Sequence, residues 1–70
     1  MAIKVKMDVL EKVQAESKGV SNLAAKIGIG RVALWSIRTG QGNPGETFVE
    51  GFLRAFPEYK FEDAFFLDDA

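Results

Sequence analysis

The chain of 70 residues contains no cysteine and no histidine. Without cysteine there can be no disulfide, thiolate metal ligand or thiol nucleophile, and without histidine there is no imidazole for acid–base chemistry. The acidic pairs Glu62-Asp63 and Asp68-Asp69 fit a solvated surface better than a catalytic pair of carboxylates. We therefore expect a protein that is not an enzyme and that has no metal site and no cofactor.

Long apolar runs are also missing. No stretch approaches the length of a membrane span, and residues 1–6 lack the apolar segment of a secretory signal. The composition, with 47% hydrophobic and 27% charged residues, is typical of a globular protein. A chain this short forms one domain with a small core. The sequence thus predicts a single domain over residues 1–70, cytoplasmic and not bound to a membrane.

The net charge of −1 conceals two halves of opposite sign. Residues 1–42 carry seven Lys and Arg against three Asp and Glu, a net charge of +4. Residues 43–70 carry two basic residues against seven acidic ones, a net charge of −5. A basic surface opposite an acidic one would orient the protein on a polyanion such as DNA. The alternative interpretation is that both are ordinary solvated surfaces without a role in binding.

Apolar residues at three- and four-residue spacing predict four amphipathic helices, followed by a last helical turn. The helices cover residues 7–17, a second segment that begins at residue 19 or 21 and ends at residue 27, residues 31–39 and residues 46–56. The last turn covers residues 61–67. Gly28, Gly40 and Pro57 are expected to end helices. The predicted core contains Leu10, Val13, Leu34, Ile37, Phe52 and Phe56. We therefore predict an all-α fold, a compact bundle of about five short helices.

The two ends of the chain are less regular. Ile3 and Val5 alternate with Lys4 and Lys6, which fits either a short extended arm over residues 1–6 or an early start of the first helix. Residues 68–70 are interpreted as an acidic tail.

The second and third predicted helices carry a more specific pattern. In the second helix an apolar residue is followed by Ala, and Gly follows four residues after the Ala. An apolar residue comes next, and two more apolar residues lie in the third helix. These residues are Leu23, Ala24, Gly28, Ile29, Leu34 and Ile37. In this pattern the segment Val20 to Thr39 resembles the helix-turn-helix of the bacteriophage repressor and Cro family, also called XRE-like, and the resemblance implies a DNA-binding domain.

This resemblance implies that the third helix enters the major groove of DNA. The expected base-facing residues are Arg31, Val32, Trp35, Ser36 and Thr39. Arg31 is expected to bind a guanine and Val32 to pack on a thymine methyl group. The alternatives are a solvated charge at Arg31 and packing of Val32 on a neighbouring helix. Trp35 has three open placements: the edge of the core, the sugar–phosphate backbone, or a protein partner.

Phosphate contacts are expected from the start of the second helix and from the rim of the groove. The candidate residues are Ser21, Asn22, Lys26, Arg38, Gln41 and Asn43. The chain departs from the family at Val20, where many relatives have a Gln that binds phosphate. It departs again at Arg38, where they often have Glu, and this change is expected to leave Arg38 able to reach a phosphate.

Two functions follow from the resemblance. The first is a Cro-like transcriptional regulator that binds double-stranded operator DNA. The second is an anti-repressor or repressor modulator that binds a co-encoded repressor protein through the same scaffold. The apolar residues Val32 and Trp35 and the acidic second half favour a protein partner, whereas the helix-turn-helix pattern favours DNA. A weak homodimer is a further candidate assembly.

Overall fold

The computed structural model of the protein describes residues 2–68. The elements in chain order are β1 (Ala2–Val5), α1 (Met7–Glu16), α2 (Val20–Ile27), α3 (Arg31–Arg38), α4 (Glu46–Ala55), α5 (Phe61–Ala64) and β2 (Phe65–Asp68). Among the described residues, no helix is long and apolar enough to cross a membrane.

The four predicted amphipathic helices are confirmed as α1 to α4. Gly28 ends α2 in the left-handed conformation, with φ of 91°, which a residue without a Cβ atom adopts at little cost. The helix α4 stops at Ala55, and Phe56 is no longer helical because the following Pro57 disfavours that conformation. The pattern of apolar residues and breakers was therefore sufficient to locate these helices.

The predicted core is also confirmed, since all six of its residues are buried. Phe52 lies at its centre and is fully buried, with its ring centroid 5.1 Å from that of Phe56 and 5.3 Å from that of Phe65. Phe48 contacts Phe65 edge to face, with 6.0 Å between the ring centroids. Aromatic rings thus fill much of the space that a small domain has available for a core.

The prediction of an all-α fold is wrong, because the protein also contains a small β-sheet. The strands β1 and β2 pair antiparallel, with Ala2 opposite Asp68 and Val5 opposite Phe65. The extended arm proposed for residues 1–6 is therefore a paired strand over residues 2–5. The last helical turn, predicted over residues 61–67, ends at Ala64, and Phe65, Phe66 and Leu67 belong to β2.

The sheet has a clear physical cause. The backbone N–H of Lys6 donates to the carbonyl of Ala64 at 2.7 Å, and the Lys6 Nζ donates to the carbonyl of Glu62 at 2.9 Å. These bonds hold the end of α5 beside the start of α1. The residues before Lys6 and the residues after Ala64 then pair as strands whose backbone groups satisfy one another. Val5 and Phe65 face the core from this sheet and are 4% and 1% exposed.

The predicted acidic tail is only partly described. Asp68 is the last residue of β2 rather than part of a tail, because its backbone pairs opposite Ala2. Asp69 and Ala70 lie outside the described residues.

Candidate nucleic-acid interface

The helices α2 and α3 are joined by a turn of three residues, Gly28 to Gly30. The N–H groups of Gly28 and Ile29 both donate to the carbonyl of Ala24, at 2.8 and 3.1 Å, which closes the end of α2. Gly30 is extended and directly precedes α3. Ala24 is buried, so its small side chain allows the close packing that the helix-turn-helix pattern requires.

The helix α3 has a buried face and an open face. Leu34 and Ile37 are buried in the core, whereas Val32 is 81% exposed and Trp35 is 56% exposed. Val32 therefore does not pack on a neighbouring helix, and Trp35 is not a core residue. Val32 and Trp35 thus form an exposed apolar surface on one turn of α3.

This surface includes a groove of about 400 Å³. Its lining consists of Val20 at the start of α2 and Arg31, Val32 and Trp35 in α3. Three of the predicted base-facing residues are thus brought together. Sequence reasoning noted Val20 only as a departure from the family and missed its side chain as part of the groove. The available signal was an apolar residue at the first position of a helix, although Val20 also packs partly against the core.

The other two predicted base-facing residues lie elsewhere on α3. Ser36 is half-buried and lines a second cleft of about 360 Å³ together with Ala33, Gly42 and Asn43, among other residues. Thr39 follows the last residue of α3, and its hydroxyl donates to the carbonyls of Trp35 and Ser36 at 3.0 and 3.3 Å. Ser36 therefore lines a different cleft from Arg31, Val32 and Trp35, and the Thr39 hydroxyl is bonded within the end of α3.

Three of the predicted phosphate-binding residues lie on α2 and are exposed: Ser21, Asn22 and Lys26. The amide of Asn22 donates to the carbonyl of Lys18 at 3.3 Å. The Lys26 ammonium lies 5.9 Å from the centre of the Phe56 ring, which places this charge beside the end of α4. Gln41 is exposed in the loop after α3.

The remaining two predicted phosphate-binding residues, Asn43 and Arg38, contact other side chains of the same chain. Asn43 accepts a hydrogen bond from the Lys4 Nζ at 2.6 Å, which ties the loop after α3 to the small sheet. Arg38 is 25% exposed and lies 3.8 Å from a carboxylate oxygen of Glu11 on α1. The absence of Glu at position 38 therefore does not leave the guanidinium without an acidic neighbour.

The segment of the chain that forms the candidate interface contains basic residues and no acidic ones. Residues 17–45 span α2, α3 and the following loop, and this segment contains Lys18, Lys26, Arg31 and Arg38 but no Asp or Glu. Within the described residues, no side chain caps the N-terminal end of α2 or α3, which follow Gly19 and Gly30. The unpaired N–H groups of such helix ends add a partial positive charge.

Comparisons with protein-family models, with curated proteins and with solved structures found no match to this chain. The resemblance to the repressor and Cro family therefore depends on the matching residues of α2, the turn and α3. Any function must be argued from the geometry and charge of the chain itself.

Proposed function

We propose that this protein binds double-stranded DNA through α3 and regulates transcription by occupying an operator. The observation that carries the proposal is the open face of α3 within a segment of 29 residues, 17–45, that lacks acidic side chains. A helix fits the major groove of B-DNA, and a segment whose charged side chains are all basic is attracted to its phosphates. A segment that also carried acidic side chains would be attracted to the phosphates less strongly.

Direct contact with bases is assigned to Arg31, Val32 and Trp35. Arg31 is exposed in the first turn of α3, where a guanidinium can donate two hydrogen bonds to the O6 and N7 atoms of guanine. Ser36 can contact bases only from the edge of the second cleft. Base recognition therefore concentrates in the first two turns of α3.

Phosphate contacts are assigned to the exposed side of α2, with Ser21, Asn22 and Lys26, and to Gln41. Arg38 contributes less because Glu11 lies beside its guanidinium. The small number of free cations predicts modest affinity and a shallow dependence on salt. Removing one cation that binds a phosphate lowers the slope of log K against log salt by about one unit.

The test compares Arg31→Ala, Lys26→Ala and Lys60→Ala with the unmodified chain. Binding is measured by anisotropy on a duplex selected from a randomised library and on an unrelated duplex, between about 50 and 200 mM salt. Removal of Arg31 should weaken the selected duplex by about 1–3 kcal/mol and reduce the preference for it. Removal of Lys26 should weaken both duplexes equally and lower the salt slope by about one unit.

Lys60 is the matched control, because it is an exposed cation that precedes α5 in the acidic half of the chain. Its removal changes the net charge by the same amount and should leave the salt slope unchanged. Equal losses for all three variants on both duplexes would contradict the assignment of Arg31 to base recognition. Failure to select any duplex would contradict the proposal as a whole.

A second candidate function is favoured by one observation, the apolar character of the groove. Val20, Val32 and Trp35 can bury apolar surface against a protein, and an exposed Trp is often the centre of such an interface. The partner would be a repressor whose basic DNA-binding surface meets the acidic residues that begin at Glu46. The fluorescence of Trp35 distinguishes this candidate from DNA binding, because the two ligands would change the surroundings of the indole differently.

A further inference from the structure

We infer that Arg54, in the last turn of α4, binds a phosphate of the DNA backbone beside the turn that joins α2 to α3. This inference rests on the proposed function, because it adds a contact to the same interface from a helix outside the helix-turn-helix. It groups Arg54 with Lys26, the other cation at the end of α2.

The position of the Arg54 guanidinium carries the first step. In sequence this residue lies in the acidic half of the chain, but its Nη2 atom is only 3.8 Å from the position that a Cβ atom of Gly28 would take. Gly28 ends α2 and begins the turn to α3. Gly51 of α4 also lies close to the carbonyl of Ile27, so α4 packs directly on the end of α2. The guanidinium therefore belongs to the surface of the helix-turn-helix.

The charge of Arg54 has no acidic partner, which is the second step. Glu50 stands four residues earlier on α4, the spacing at which a helix pairs opposite charges, and Glu58 follows four residues later. Within residues 2–68, Arg54 nevertheless forms no ion pair and no side-chain hydrogen bond. An exposed guanidinium with five N–H donors is thus available to an anion.

The surroundings of the turn carry the third step. Gly28 and Gly30 are exposed, and no atom lies within 4 Å of a Cβ atom added at Gly30, so the backbone here is open to a ligand. Lys26 is a second exposed cation without an acidic partner in the described part of the chain. Its ammonium lies 5.9 Å from the centre of the Phe56 ring, two residues from Arg54. Two exposed cations beside an open backbone can bind phosphates of a DNA strand.

The location of this site connects it to base recognition. Arg31 begins α3 directly after the turn, and the proposed function assigns it to a guanine. A phosphate bound beside the turn is then part of the DNA whose bases meet the start of α3. Such a contact positions α3 in the major groove and has no sequence preference of its own.

The experiment measures the binding of the complete chain to a selected duplex and to an unrelated duplex by anisotropy. Arg54→Ala should weaken both duplexes equally, by about two- to fivefold at the lowest salt, the scale of an exposed ion pair. It should lower the slope of log K against log salt by about one unit. The loss of affinity between about 50 and 200 mM salt is then about three- to fourfold smaller than for the unmodified chain. Arg54→Lys keeps the charge and should restore the slope.

Replacement of single phosphates locates the contact. Each phosphate of the selected duplex is replaced in turn by an uncharged methylphosphonate. One replacement should weaken binding of the unmodified chain by about two- to fivefold and leave binding of Arg54→Ala unchanged. Lys60→Ala is the matched control, because it removes an exposed cation of the acidic half and should keep the full effect of that replacement.

Three results would overturn the inference, and they differ in what they imply. If Arg54→Ala binds the selected duplex with the salt slope of the unmodified chain, Arg54 contacts no phosphate and the proposed function stands. If Arg54→Ala and Arg54→Lys both lose stability and affinity without a change of slope, the guanidinium is a structural contact at the end of α2, and the proposed function again stands. If no duplex is selected, the inference and the proposed function fail together.

Discussion

At the scale of single residues, Trp35 is the side chain that best reports on function. It is the one Trp in the chain, so its fluorescence has no competing source. It is 56% exposed and lines the candidate groove together with Val20 and Val32. Its carbonyl accepts the Thr39 hydroxyl, which connects it to the last turn of α3.

We predict that operator DNA alone quenches or shifts the emission of Trp35. Trp35→Ala should lose affinity while the far-ultraviolet spectrum stays helical, because more than half of the side chain lies outside the core. If a repressor is the ligand instead, DNA should leave the emission unchanged. The repressor should then shift it to the blue, and Trp35→Ala should cost about 2 kcal/mol of partner binding.

Trp35→Phe is the control for this measurement, because it keeps an apolar ring and removes the indole N–H. A small reduction of affinity in this variant assigns the contact to the ring surface. A Trp35→Ala variant that unfolds would contradict the exposed position of the side chain.

At this scale the sequence predicted which side chains of α3 face the core, but it did not predict the contacts between residues that are distant in sequence. The 3.6-residue period of a helix separates Leu34 and Ile37 from Val32 and Trp35, and this separation needs no knowledge of the fold. The approach of Glu11 to Arg38 depends on how α1 packs beside α3. The same is true of the bond from Lys4 to Asn43, whose partners are 39 residues apart.

At the scale of elements, the close approach of α2 and α4 depends on Gly51. This residue is buried within α4, and a Cβ atom added to it would meet the carbonyl oxygen and the Cγ2 atom of Ile27, the last residue of α2. Gly in the interior of a helix is normally unfavourable. Here it allows the two helices to pack where α2 leads into the turn before α3.

We predict that Gly51→Ala lowers the free energy of unfolding by about 1–3 kcal/mol, the usual cost of overpacking a core. In a helix with free space around it, the same change would stabilise the protein by about 1 kcal/mol. Denaturation followed by circular dichroism measures the difference.

Gly45→Ala is the matched control, because no atom lies within 4 Å of a Cβ added at Gly45, which precedes α4. Because Gly45 is the N-cap of α4 and Ala is a poorer N-cap residue than Gly, this change should cost less than about 1 kcal/mol. A Gly51→Ala variant as stable as the unmodified chain would show that α4 can shift without loss of packing.

The helix α4 was predictable as an element, since Phe48, Phe52 and Phe56 recur at four-residue spacing. The role of Gly51 was not, because the sequence does not indicate which face of α4 meets the backbone of α2. An extended segment near the start of the chain was one of two alternatives, but its pairing with a second strand could not be predicted. Phe61 and Phe65 have the spacing of a helical face, and four residues are too few for alternation to decide.

At the scale of the whole molecule, the sheet joins the two ends of the described chain to one core. Phe65 projects from β2 and packs on three other rings, with centroid distances of 5.3 Å to Phe52, 6.0 Å to Phe48 and 5.3 Å to Phe61. The residues that pair across the sheet are about sixty positions apart in sequence. Local patterns cannot reveal such a contact, which is why the predicted fold lacked it.

We predict that Phe65→Ala destabilises the protein by about 3–5 kcal/mol, because Phe65 is 1% exposed among aromatic neighbours. Leu67→Ala, in the same strand but 55% exposed, should cost less than about 1 kcal/mol. Thermal and denaturant melting of the two variants measures the contrast. Similar losses for both would contradict the assignment of the larger loss to the burial of Phe65.

The pairing of β1 with β2 also determines how the domain responds to force. Ala2 lies opposite Asp68, so the outermost residues of the two strands are neighbours. A force that draws Ala2 and Asp68 apart acts across the two strands. It therefore breaks the hydrogen bonds between them one after another, rather than all at once as a force along the strands would. The sheet should therefore peel open under weak tension and uncover Val5 and Phe65. A protein-unfolding protease that pulls on either strand would separate this sheet before it reaches the helices.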